Sequence, residues 1–419
     1  MSDAGERHRV VVVGGGFGGL QTVRSLRRAP VEITLIDRRN YHLFQPLLYQ
    51  VATAALSPAD IASPIRSIVS RQQNVTVLLG KVTGVDCAGK MVEIGDRRIA
   101  YDYLVVATGA RHAYFGRDDW EPFAPGLKKI EDATAIRRRI LLAFERAETE
   151  ADPVEQKRLL NFIIVGGGPT GVELAGAVAE LAKTALARDF RNIDPRAARI
   201  ILVQSGMRLL PSFPEALSAK AKRSLERLGV EVRLGHPVMS CDQEMVTVDG
   251  ERIETRTVIW AAGVAASPAA KWLGAEKDRA GRAKVMADLS LPGDPDVFVV
   301  GDTALAVDAA GNPLPGVAPV AKQQGQYVAG LLRRRVTGRP APGPFRYRNF
   351  GNLASIGRKS AVADFGRIRV SGLFAWTLWG AAHVYFLIGF RNRTAVVLDW
   401  LWAYFTFQRG TRLITGSEQ

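Results

Sequence analysis

Two cysteines, Cys87 and Cys241, are all that the 419 residues contain. They lie far apart, and neither has a partner at short spacing. That excludes a disulfide framework and a metal site, and it predicts a reducing compartment. Acidic residues are in deficit: 41 Asp and Glu face 56 Lys and Arg, a formal charge of +15. Such a balance suits nucleic acid, an anionic membrane or an anionic cofactor. Zinc-finger spacing and a basic recognition helix are both missing, so no nucleic acid is expected as a partner. Met1 to Arg9 is polar and carries Asp3 and Glu6, with no apolar segment and no transit-peptide character. It predicts a protein that is not exported. What remains is 47% hydrophobic and 23% charged, a globular composition long enough for two or three domains.

Two glycine runs organise the chain. Val10-Val11-Val12-Val13 leads into Gly14-Gly15-Gly16-Phe17-Gly18-Gly19, and Phe162-Ile163-Ile164-Val165 leads into Gly166-Gly167-Gly168-Pro169-Thr170-Gly171. Each has a β-branched run that reads as a buried parallel strand, then G-x-G-x-x-G, then an apolar helical pattern. Gly14, Gly16 and Gly19, like Gly166, Gly168 and Gly171, let a backbone turn sharply and approach a pyrophosphate seated on a helix N-terminus. One match is weak; two, each between a strand and a helix, predict two bound dinucleotides.

The strand Glu32–Ile36 ends in Asp37, 18 residues past Gly19, where a carboxylate accepts hydrogen bonds from ribose hydroxyls. In the second repeat Arg199–Val203 ends at Gln204, with Ser205 and Arg208 close behind. Two further strands end in small-residue turns, Ala107-Thr108-Gly109 and Ala261-Ala262-Gly263, which permit close backbone approach to a cofactor. Val297–Val300 ends in Gly301-Asp302, and a helix is expected from about Val317. Glu173 follows the last glycine of the second motif, in the expected first helical turn. A carboxylate there is favoured by the helix dipole alone; the other reading is that it faces a nicotinamide. Tyr41 to Gln50 is unusually apolar for a connection, and it lacks the redox cysteine pair that disulfide reductases of this architecture carry there.

After a proline-marked linker (Pro340, Pro342, Pro344) the tail changes character. Gly372 to Phe390 is 19 residues almost free of charge, and Thr394 to Phe407 holds one charge, Asp399. Arg367, Arg369, Arg391, Arg393, Arg409 and Arg412 surround them. His383, Gly380 and Gly389 weaken a spanning reading. The expected form is two amphipathic helices in a membrane interface, with Trp376, Trp379, His383, Phe386 and Phe390 near one face and arginine against anionic lipid. A dimer core would use the same aromatics.

Together these features resemble the type II NADH:quinone oxidoreductases, single-chain flavoproteins that do not pump protons. The resemblance spans essentially the whole chain. It implies an α/β fold of two Rossmann-type dinucleotide-binding domains, glutathione-reductase-like, plus a C-terminal membrane-associating helical region. FAD would occupy 1–125 and 266–340, NADH 126–265, and residues 341–419 would anchor and dimerise the protein. Gly14, Gly16, Gly19, Asp37, Gly109 and Asp302 match the flavin side; Gly166, Gly168, Gly171, Glu173, Gln204 and Gly263 match the nicotinamide side. The family's quinone-side Ala-Gln-x-Ala-x-Gln reads Ala318-Pro319-Val320-Ala321-Lys322-Gln323 here, so Gln323 survives and Pro319 replaces the first glutamine. Glu173 and Gln323 are the expected catalytic residues. The family usually has a glutamate where Gln204 stands, so NADPH is expected to be accepted as well. The resemblance further implies a quinone, a homodimer and peripheral attachment at the cytoplasmic face of the inner (plasma) membrane. Sulfide:quinone reductases share the architecture but need cysteines near the flavin, which Cys87 and Cys241 are not. A ferredoxin-reductase-like enzyme would account for the positive charge but not for the aromatic tail.

Overall fold

The structure, a computed structural model, describes residues 7–406 and 408–416. The polar start at 1–6 and Phe407 of the expected second tail helix lie outside the described residues. The chain forms two compact units: one comprises residues up to Leu43, Ala62–Arg111 and Val264–Phe350, the other Phe44–Ile61, His112–Gly263 and the chain from Gly351 on. The expected divisions at 125/126, 265/266 and 340/341 therefore stand beside breaks at 111, 263 and 350, and 44–61 joins the second unit. Its apolarity has a plain reason there: Leu47, Val51, Ala52 and Leu56 are fully buried.

In the first unit six strands run in the spatial order Ser290–Leu291, Asp294–Val299, Tyr103–Val106, His8–Val13, Val31–Asp37, Val75–Leu79. His8–Val13 is parallel to both neighbours, with Val13 opposite Ile36 on one side and Val106 on the other. Val10 and Val12 have no exposed surface. A central parallel strand is covered on both faces, which is why it reads as an unbroken β-branched run. The helix Phe17–Ser25 packs against Ala318–Val336 at glycine. Thr22 Oγ1 donates to the Gly325 carbonyl at 3.2 Å, and a Cβ on Gly325 would collide with the Gly18 carbonyl.

In the second unit four parallel strands run in the order Val230–Leu234, Arg199–Gln204, Asn161–Val165, Thr257–Trp260. The helix Pro169–Glu180 lies against a separate antiparallel sheet of Asn352–Gly357, Ser360–Asp364 and Arg369–Gly372. Their contact depends on Gly176, where a Cβ would collide with the Ile356 carbonyl. The tail beyond Gly351 is thereby built into this unit.

The tail helices are Leu373–Phe386 and Phe390–Thr406, and no helix among the described residues is long and apolar enough to cross a membrane. Their faces differ from the sequence grouping. Ala375 and Trp379 are buried, Trp379 packs 5.3 Å from Trp400, and His383 packs 4.3 Å from Trp379. Phe374, Tyr385, Phe390, Trp402 and Phe405 point outward instead. Pairing of the two helices selects Ala375, Trp379 and His383, four residues apart, as the inner stripe. Some tail arginines are likewise not free for lipid. Arg409 Nη1 donates to the carbonyls of Thr53 at 2.7 Å and Ala177 at 3.2 Å, and Arg412 is bonded to Asp189 and the Ala185 carbonyl. Arg393 donates to the carbonyl of Leu387 at 2.8 Å.

The Gly18–Gly325 crossing leaves no room for a side chain, so Gly325→Leu should lower stability by about 1–3 kcal/mol through overpacking. Equilibrium denaturation checks this; a variant as stable as wild type would show that the two helices separate freely.

Candidate functional site

The two glycine loops are the same construction made twice. In the first, Gly14 turns at φ +105°, donates its N–H to the Ile36 carbonyl at 2.8 Å, and would bring a Cβ within 2.8 Å of the Ala107 carbonyl carbon. A Cβ on Gly19 would collide with the Gly14 carbonyl. In the second, Gly166 turns at φ +116°, donates to the Val203 carbonyl at 2.8 Å, and a Cβ there would stand 2.6 Å from the Ala261 carbonyl carbon. A Cβ on Gly171 would collide with the Gly166 carbonyl. The outer glycines of each motif are thus demanded by the chain itself. The middle ones are not: a Cβ on Gly16 or Gly168 would meet no protein atom within 4 Å. Each is the N-cap of its helix and brings no side-chain cap. Helix N–H groups that a cap would otherwise satisfy face outward there, the arrangement that receives a phosphate.

Asp37 and Gln204 also occupy equivalent places. Asp37 Oδ2 accepts from the Gly15 N–H at 2.5 Å and Oδ1 from Arg39 at 2.7 Å. Gln204 Oε1 accepts from the Gly167 N–H at 2.8 Å, which leaves its amide –NH2 as the outward group. Both side chains therefore tie their glycine loop to the neighbouring strand, a role the ribose reading had not included. Arg208, which follows Gln204 closely in the sequence, donates to the Pro211 carbonyl at 2.7 Å. Gly109 and Gly263 have φ of +68° and +81°, as the small-residue turns require.

Asp302 lies in a short 3-10 turn, Gly301–Thr303, beside a cavity of about 130 Å³ in the first unit. Arg282, Gly316, Val320 and Gln324 also line it. The helix expected near Val317 starts at Ala318, and the Ala321 methyl would stand 3.3 Å from a Cβ on Gly301. Gln323 is placed otherwise than expected. Its Nε2 donates to the Arg348 carbonyl and its Oε1 accepts from the Arg348 N–H, both at 2.9 Å, so the amide is held by backbone. The glutamine on the cavity is Gln324, buried, with Oε1 accepting from the Gly301 N–H at 2.6 Å. Helical phase carried that signal: Val320, Ala321, Gln324, Gly325 and Val328 form the inward stripe, and Gln323 falls off it. His42 was also missed. It is buried beneath the first loop with Nδ1 donating to the Gly15 carbonyl at 2.9 Å, and burial lowers its pKa, so it stays neutral.

Glu173 is the fifth residue of its helix, beyond the first turn, so the dipole reading does not hold. It is buried and accepts from the Ser355 N–H at 3.2 Å. Burial pushes its pKa up to about 8; the Ser355 bond and the nearby Trp379 indole, which closes no full hydrogen bond, only partly oppose this. Tyr49 is buried close by, and burial with the Glu173 charge raises its phenol pKa. Gln50 Nε2 donates to the Tyr49 hydroxyl at 3.1 Å, and the Trp400 indole donates to Gln50 Oε1 at 2.7 Å. No cluster of potential metal ligands occurs among the described residues.

Residues 8–325 match the family described as Pyridine nucleotide-disulphide oxidoreductase, and residues 350–409 match the NDH2 C-terminal domain. The chain is 45% identical over 427 residues to the Type II NADH:quinone oxidoreductase Ndh of Mycobacterium tuberculosis, covering 98% of this chain and 91% of that protein. It is 45% identical over 431 residues to NdhA of the same organism, covering 99% and 91%. Among solved structures, NDH2 from Plasmodium falciparum in complex with NADH has the same fold, with a TM-score of 0.86 at 21% identity over 98% of this chain and 100% of that one. With both glycine loops in place and relatives matched along nearly their full length, the chain belongs to the type II NADH:quinone oxidoreductase family.

Proposed function

We propose that this protein oxidises NADH and reduces a quinone, with FAD in the first unit and the nicotinamide dinucleotide in the second. The observation that carries the reading is the doubled loop, packed shut at its outer glycines and clear of protein at Gly16 and Gly168. The residues of the first unit fit FAD: Gly14, Gly16 and Gly19 would receive its pyrophosphate, Asp37 its adenosine ribose, and Gly109 and Asp302 the flavin half beside the cavity. FAD when bound supplies the redox centre that takes a hydride from NADH and releases two electrons to a quinone. The chain binds and orients the reactants and keeps water away. Glu173, protonated at neutral pH, holds a proton in the second unit. Peripheral attachment to a membrane is supported by the outward Phe374, Phe390, Trp402 and Phe405, which are 60–85% exposed.

Two measurements test this reading. Gly16→Val should yield a folded, colourless protein, because its Cβ has no neighbouring protein atom within 4 Å but stands where the pyrophosphate comes. Wild-type yellow protein should oxidise NADH with a soluble quinone. A Gly16→Val protein with full flavin occupancy would remove FAD from this loop.

Nucleotide choice follows from Gln204. Its oxygen is bound to Gly167 and its amide can donate to a ribose hydroxyl or to a 2′-phosphate, so we expect both NADH and NADPH to be oxidised. Gln204→Glu would keep the Gly167 bond and add a negative charge. At about 4 Å such a charge repels another by roughly 1 kcal/mol in water and about 4 at the effective dielectric of a protein surface. Activity with NADPH should fall about ten- to a thousandfold more than activity with NADH. Equal losses, or a wild type that rejects NADPH, would clear Gln204 of this role.

Glu173 makes stability depend on pH. The unfolded chain releases this proton near 4.5 and the folded chain near 8, so between those values the folded state holds one proton more. Stability therefore falls as pH rises through that window, by on the order of 3–5 kcal/mol at most, and levels off above 8. Glu173→Gln removes the slope. Relative to wild type, its thermal midpoint should rise by roughly 5 °C or more between pH 5 and pH 9; parallel profiles would mean that Glu173 is ionised when folded.

A further inference from the structure

The carboxyl edge of the second unit's parallel sheet holds two large apolar side chains out in water. Phe115 is 75% exposed and Met207 is 81% exposed. Each lies across a left-handed glycine just beyond an outer strand. Gly263, after Thr257–Trp260, has φ +81°, and a Cβ there would come within 3.1 Å of Phe115 Cε2. Gly235, after Val230–Leu234, has φ +78°, and a Cβ there would stand 2.9 Å from the Met207 sulfur.

Neither side chain sits on a loose segment. The Trp260 indole donates to the Ala113 carbonyl at 3.0 Å, the Tyr114 ring packs 5.3 Å from that indole, and the Tyr114 hydroxyl donates to the Ala124 carbonyl at 2.8 Å. Phe115 between these anchors has φ +54°, a conformation unfavourable for an aromatic residue. The Met207 loop is tied down by Gly235 N–H to the Gly206 carbonyl at 3.0 Å and His236 N–H to the Gln204 carbonyl at 3.2 Å. Strain that the surroundings over-determine is characteristic of ligand sites, and here it presents an apolar ring to solvent.

The sheet order says which part of a ligand each would meet. Val230–Leu234 and Thr257–Trp260 are the two outer strands, and Arg199–Gln204 and Asn161–Val165 lie between them. In such sheets a dinucleotide spans the carboxyl edge, its pyrophosphate over the glycine loop and its adenosine ribose at the end of the next strand. Gly168 and Gln204 mark those two points and so set its direction. Adenine falls beyond Gln204, towards Met207. The nicotinamide half runs the other way, towards Ala261–Gly263 and Phe115.

We propose that Met207 and Phe115 are the two base-covering residues of the nicotinamide dinucleotide site, Met207 against adenine and Phe115 over the nicotinamide half. This rests on the reading that the second glycine loop holds NADH. A thioether and a phenyl ring both pack well on a flat heteroaromatic face. Because each is presented on a pre-formed turn, little ordering accompanies binding.

The test uses the flavin-loaded, full-length protein, with NADH as substrate and AMP as a competitive probe of the adenosine end alone. Met207→Ala should raise the KM for NADH and the inhibition constant of AMP together, by about three- to tenfold. Phe115→Ala should raise the KM for NADH about five- to thirtyfold while the AMP constant stays within about twofold. In both, kcat, flavin content and thermal midpoint should stay near wild type, and Phe115→Tyr should restore the KM. The proposal is overturned if both alanine variants keep the wild-type KM, or if Phe115→Ala weakens AMP as much as NADH. Gly168→Val separates the two levels. If it abolishes NADH oxidation while the alanine variants keep the wild-type KM, the loop assignment stands and the base covers fall. If it leaves the KM for NADH unchanged, both fall.

Discussion

Everything else in the two sites depends on how closely the chain passes itself at the outer glycines. Gly14 abuts Ala107 and Gly166 abuts Ala261, while Gly19 and Gly171 press on the carbonyls of Gly14 and Gly166. Hard-core repulsion makes these contacts all-or-none. No other residue gives up a Cβ, and two of these positions also need a left-handed φ. Because strand, loop and helix are locked this tightly, the helix N-terminus is held at a set place over the sheet edge. Binding energy is then not spent on ordering the loop.

The neighbouring strand completes the lock with a side chain: Asp37 takes the Gly15 N–H and Gln204 takes the Gly167 N–H. A carboxylate and a carboxamide do the same structural work because each offers an oxygen in the same place. They differ in what they show to solvent. Asp37 has a second oxygen, already accepting from Arg39, whereas Gln204 turns a pair of N–H donors outward. The architecture is thus indifferent to this exchange.

The second unit couples its glycine-loop helix to the C-terminal region through buried polar groups. Glu173 bonds Ser355, Glu180 meets Arg409, and Trp400, Gln50 and Tyr49 form a hydrogen-bonded run towards the same carboxyl. Burying these groups is costly unless each finds a partner. Such a network therefore specifies one arrangement of the tail. That is why arginines which read as a lipid-binding fringe turn inward as clamps on Thr53, Ala177 and Ala185, and why the outer aromatics carry the exposed surface.

The amino-acid sequence alone was enough for the doubled strand–loop–helix units, for Asp37 and Gln204 at their strand ends, and for a helix starting about Val317, one residue before its observed start at Ala318. These are local facts: a β-branched run, a glycine spacing and a helical phase act over a few residues and leave a periodic trace. Tertiary structure alone decided that Gln323 serves the Arg348 backbone, that Trp379 and His383 turn inward, and that Glu173 is buried near a phenol and an indole. Residues 44–61 and the tail also meet only in the fold. Each of these depends on groups tens to hundreds of residues away, such as Glu173 with Ser355 or Gln50 with Trp400. Contacts at that separation follow from packing and from the need to satisfy buried polar atoms, and no local pattern encodes them.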